Sequence, residues 1–188
     1  LKNKTMKTLK NKITIENLQQ LAPCESGYKF AQSKNSLIEA WETCERGDWL
    51  LWFAQKLGCP LQLLTLAKGK SAETVTHLMR DDRSRKAIKV AIDFGNGVAS
   101  RVELYAAASA AYDAAANAAS ADAAAEYAAK TAFYAASDCT ADAAASAAAN
   151  AAASDCTAAA EYDAKKENQL KTANICREIL TDFILSKL

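Results

Sequence analysis

The residues of this chain that could do chemistry are one histidine, six cysteines, scattered carboxylates and a lysine–serine pair that follows a glycine. Gly69-Lys70-Ser71 matches the end of a phosphate-binding loop, which curls backbone amides around phosphate oxygens. That loop needs another glycine five residues earlier, and Leu64 stands there, so the reading fails. Cys24, Cys44, Cys59, Cys139, Cys156 and Cys176 form no CxxC pair, and His77 is the only imidazole. The common zinc spacings are thereby excluded. A cysteine nucleophile needs an activating base held in the right geometry, and no motif around His77 points to one. Asp122, Asp138, Asp142, Asp155, Glu126 and Glu161 lack the Glu-x-x-His pairs of di-metal bundles. Capping and solubility account for these acids better. The expectation is no catalytic residue, no metal and no cofactor, hence no enzyme.

Binding chemistry is better represented. In CERGDWLLW (44–52), Arg46, Asp48 and Trp49 flank a turn, a combination common at interaction hot spots. In MRDDRSRKAIK (79–89), Arg80, Arg83, Arg85 and Lys86 gather at a helix start. Helix amino termini attract anions, and arginine adds two-pronged recognition of phosphate or carboxylate. The plainer alternative is that Asp81 or Asp82 caps this helix while the arginines form surface ion pairs, and that the tryptophans are core. Asn117 and Asn150 sit on alanine faces, where asparagine is mildly unfavourable. With Tyr134 they are candidates to line a groove for a small ligand such as a nucleotide, or else they face water. Lys2, Lys4, Lys7, Lys10 and Lys12 make residues 1–12 a basic arm for nucleic acid or a disordered, solvated tail.

The elements that must position these groups follow from composition and punctuation. At 188 residues the chain suits one helical domain over 13–188, with a Trp/Leu-rich part (13–97) and an alanine-rich part (98–188). A net charge of +1 supplies no global field to steer it toward nucleic acid or an anionic membrane. The amino terminus lacks the apolar core of a secretory signal, and no run nears the roughly 18–20 apolar residues of a membrane span. Scattered cysteines read as reduced thiols, which makes the cytoplasm the expected compartment, and the low net charge and missing span leave no membrane partner expected.

Helices are predicted over about 15–22, 36–45, 49–57, 61–79 and 83–94. Gly47 is read as the left-handed cap closing the second, Asp48 as the amino-terminal cap of the third, and Gly69 as a bend in the fourth. Beyond Gly97 there is neither glycine nor proline. Ser120, Ser137 and Ser154 recur every 17 residues, each followed by aspartate within two positions, and SDCT occurs twice. Helices of roughly 13–15 residues, each opened by a Ser/Asp cap, are preferred to one continuous rod, because small side chains let helices pack closely. The fold class is all-α: a multi-helix bundle with a closely packed alanine-rich carboxy-terminal half.

WETCERGDWLLWFAQKLG (41–58), followed by DDRSRKAIKVAIDFGNG (81–97) and tyrosine-dotted alanine helices, resembles the Imm5-like immunity protein family and related phage-encoded proteins of unassigned role. The resemblance covers roughly residues 36–136. It implies a compact helical inhibitor that neutralises a partner protein, a toxin or a host defence component, without catalysis. A small-nucleotide sponge and a nucleic-acid binder are the competing classes. Exposed alanine faces add a homodimer to the expectations.

Overall fold

The computed structural model describes residues 13–118, 123–137, 139–157 and 160–188; the basic arm 1–12, Ser120, Asp122 and Asp138 lie outside the described residues. Among those described the architecture is all-α, a multi-helix bundle without strands. In place of the first predicted helix there is only a 3-10 turn, Leu18–Leu21, which ends at Ala22 in the left-handed region (φ 55°). Helix α1, Glu25–Gln32, was not foreseen. Its cap is unconventional: the Cys24 thiol, not a serine or aspartate, accepts the Gly27 amide at 3.3 Å. Helix α2, Leu37–Thr43, starts where the sequence signals it, with the Ser36 hydroxyl accepting the Glu39 amide at 3.0 Å.

The reading of Gly47 is corrected. It does not close α2 but is the first residue of α3, Gly47–Lys56, and only Gly58 and Gly97 among the glycines have positive φ. A side chain is excluded there by packing, since a Cβ would lie 2.3 Å from the Thr172 hydroxyl oxygen. Asp48 is likewise inside the first turn of α3 rather than its cap, a position held by Arg46. Helix α4, Leu61–Glu73, stops short of Met79 and is followed by a 3-10 turn, Thr76–Leu78. Gly69 lies within α4 where a Cβ would stand 2.9 Å from the Ile92 side chain, so its role is close approach. Helix α5, Asp82–Gly95, is capped by Asp81, whose carboxylate accepts the Arg83 amide at 2.8 Å.

The alanine-rich part folds back on itself. It forms α6, Arg101–Ala118, α7, Ala123–Ala136, and α8, Asp142–Ser154, before the long α9, Glu161–Leu185. The serine repeat marks the breaks but not in the expected sense. Ser137 follows the end of α7 and Ser154 ends α8, while α8 and α9 follow Ala141 and Ala160, which make no side-chain cap. After Ser137 and Ser154 the next helices start only at Asp142 and Glu161. For α8 the missing cap comes from afar: the Gln55 side-chain oxygen accepts the Ala141 amide at 3.0 Å.

Helix α4 is central, touching α3, α5, α7, α8 and α9. Buried positions therefore run almost continuously along it, from Leu64 to Ala72. One core cluster joins Trp41, Leu50, Leu51 and Phe53 to Cys176, Leu180 and Ile184 of α9. The other joins Ile88, Ala91 and Leu104 to the inward alanines of α6, α7 and α8. An alanine buries little area, so this second cluster gains from close helix approach rather than from bulk. Because α8 and α9 pack on α3 and α4, the compositional change near residue 97 is not a division of the core. No helix among the described residues is long and apolar enough to cross a membrane.

Candidate functional site

The turn entering α3 brings together three residues the sequence singled out. Arg46, in extended backbone, folds over the helix start and grips Asp48 with two parallel hydrogen bonds, Nε to Oδ1 at 2.8 Å and Nη2 to Oδ2 at 2.6 Å. Asp48 is buried (8% exposed), and its carboxylate lies in the first helical turn, where the helix dipole favours it. The Asp48 carboxylate pushes the Arg46 pKa above its ordinary value. The same guanidinium stands 4.6 Å from the ring centre of Trp49, a cation–π contact. The carbonyls at the end of α2 are held from α9, where Arg177 donates to Cys44 at 2.6 Å.

Beside this turn opens a cavity of about 560 Å3. Its walls come from the entry segment (Leu18, Pro23), from α1 and its cap (Cys24, Phe30), from α2 (Trp41), from α3 (Trp49, Trp52, Phe53) and from α8 (Asp142). All three tryptophans of the chain line it. Trp41 is the deepest, with its indole N–H donating to the Thr181 hydroxyl at 3.0 Å. Trp49 and Trp52 are half-buried, and Phe30 packs on Trp49 with ring centres 5.9 Å apart. Asp142 lies at the start of α8, and its Oδ1 is buried with no hydrogen-bond partner among the described residues. The volume and the mostly apolar wall with a few polar groups are those of a ligand site.

Sequence reasoning selected Arg46, Asp48 and Trp49 but missed Cys24, Phe30 and Asp142 as members of the same site. The i, i+3, i+4 spacing of Trp49, Trp52 and Phe53 marks an apolar stripe, yet nothing local says that it stops short of full burial. Asp142 was weighed only as a capping or metal-binding acid.

The second arginine group is placed elsewhere, on α5 and the segment before it, over the alanine-rich core cluster. Arg83 pairs with Asp81 at 2.7 Å and Arg85 with Asp82 at 2.6 Å, and Arg85 also donates to the Met79 carbonyl. Asp81 is held below its ordinary pKa by its hydrogen bonds from Arg83. An incoming phosphate would have to displace these carboxylates. Lys86 is exposed. Arg80 shares a smaller hollow of about 220 Å3 with His77, Met79 and Asp155. Asn117 is exposed near the end of α6, Tyr134 packs on Phe133 near the end of α7, and Asn150 is half-buried on α8.

All six cysteines are free thiols. Burial pushes the Cys44 thiol up to about 11 and the Cys176 thiol up to about 12, so neither is a ready nucleophile. Among the described residues no three His, Cys, Asp or Glu side chains gather as a metal site would require. Compared with known proteins, the chain matches no protein-family model, no curated protein and no solved structure.

Proposed function

We propose that this is a non-catalytic binding protein that neutralises a partner protein, and that the tryptophan-lined cleft beside the Arg46–Asp48 turn is where the partner docks. The observation that carries the reading is the gathering of all three tryptophans around one cavity of about 560 Å3. Aromatic and arginine side chains in a partly desolvated pocket are what binding hot spots are made of. Trp49 and Trp52, half-buried in the free protein, gain burial when a partner side chain enters. The partner class we propose is a toxin or a host defence component, as the Imm5-like resemblance of residues 36–136 implies. Six free thiols support a reducing compartment such as the cytoplasm.

The test is capture from lysate of the source organism by the tagged chain and by a Trp49→Ala/Trp52→Ala variant with unchanged helical circular dichroism. A stoichiometric protein held by the first and lost by the second supports the reading. Equal capture by both, or none by either, contradicts it.

A further inference from the structure

Resting on that reading of the cleft, we infer that its occupant is a basic side chain, a lysine or arginine that a partner segment presents between apolar residues. The ionised groups in the wall are Arg46, Asp48 and Asp142. Arg46 and Asp48 neutralise one another through their paired hydrogen bonds. Asp142 is left: it is half-buried in the wall, and its Oδ1 meets no hydrogen-bond donor among the described residues. Oδ1 itself is closed off, so a ligand meets the rest of this half-buried carboxylate, for which an ammonium or guanidinium supplies both the complementary charge and the donors.

The rest of the wall suits the rest of such a side chain. Indole faces are the strongest aromatic partners for cations, and their edges pack the aliphatic stems of lysine and arginine. The protein already uses these rings in this way. Besides Arg46 over Trp49, Lys56 lies 5.9 Å from the ring centre of Trp52 and Lys34 lies 4.9 Å from that of Phe30. Lys34 and Lys56 are not in the cavity wall, and Lys56 is exposed, so water and salt screen its repulsion of an incoming charge. An anion fits poorly. It would meet Asp142 directly, and the one arginine in the wall is already committed to Asp48.

Because every tryptophan lines the cleft, tryptophan fluorescence, excited selectively over tyrosine, reports on it alone. The full chain is titrated with capped Ser-Leu-X-Leu-Ser peptides in which X is Lys, Arg, Gln or Glu, and with hexyltrimethylammonium as a free cation. The Lys and Arg peptides are expected to bind at least about tenfold more tightly than the Glu peptide. Asp142→Asn is expected to remove most of that preference and Asp142→Glu, which keeps the charge, to retain it. Equal binding of the Lys, Gln and Glu peptides would overturn the inference while leaving the cleft a binding site. So would a preference that survives Asp142→Asn, or binding of hexyltrimethylammonium with no peptide bound. No fluorescence response to any probe, together with partner capture unaffected by the tryptophan substitutions, would instead overturn the reading of the cleft itself.

Discussion

The Lys68 ammonium, buried in the middle of the bundle, donates hydrogen bonds to the Ser137 carbonyl at 2.6 Å and the Tyr134 carbonyl at 3.3 Å. These carbonyls end α7, where the last turn has no intrahelical donors and the helix dipole is negative. Lys68, one residue before the Gly69-Lys70-Ser71 triplet, is thus a structural pin between α4 and α7. Lys68→Ala leaves a void and orphaned carbonyls, with an expected loss of about 2–4 kcal/mol in urea unfolding. Lys68→Met, which fills the space without the donors, is expected to cost less.

Gly47→Ala tests the contact between α3 and α9. A methyl group there would meet both the hydroxyl and the backbone of Thr172, at 2.3 and 2.7 Å. The helices must separate, and a loss of about 1–3 kcal/mol in thermal or urea unfolding is expected. Thr172→Ser should not rescue it, because the backbone contact persists.

Where the physics was local, the sequence was legible. Ser36 and Asp81 are seen to open α2 and α5 because a cap needs only its own side chain and amides two or three residues away. The breaks after α7 and α8 were legible from the Ser-Asp repeat, although its residues end helices instead of opening them. Gly47 was misread because its cause, Thr172, lies far along the chain. Helix α1 was missed because a thiol serves as its cap. The same limit applies to the site. Arg46, Asp48 and Trp49 are neighbours in sequence and were found, whereas Asp142 joins them only because α8 packs on α3.

The buried thiols set the alkaline limit of stability. In the unfolded chain a cysteine ionises near 9.0, but in the fold Cys44 and Cys59 keep their protons to about 11 and Cys176 to about 12. Between those values the unfolded state releases protons that the native state holds, so stability falls as pH rises above about 9. Melting curves from about pH 8 to 11 are expected to show that fall, shallower in Cys176→Ala. Under native conditions a thiol reagent should modify exposed Cys24 and Cys156 quickly and buried Cys44 and Cys176 only after unfolding.

Asp81→Ala removes a cap and a salt bridge together, and a loss of about 1 kcal/mol is expected near neutral pH. The Asp81 carboxyl titrates below its ordinary 3.8, so its contribution is present above that value and lost as pH falls below it. Wild type and Asp81→Ala should therefore converge in stability in acid. A constant gap down to about pH 2 would show that the carboxylate charge is irrelevant there.

The cleft as the docking site is tested most directly by crosslinking from its own wall. Cys24 lines the cleft and Cys156 lies at the far end of α8 from Asp142, and both thiols are exposed. Each is labelled in turn with a thiol-reactive photocrosslinker, the other exposed cysteine and the half-buried Cys59 and Cys139 being replaced by serine, and the captured complex is irradiated. Crosslinks from Cys24 to the partner, with few or none from Cys156, are the expected result. Crosslinks from Cys156 with none from Cys24 would contradict the account.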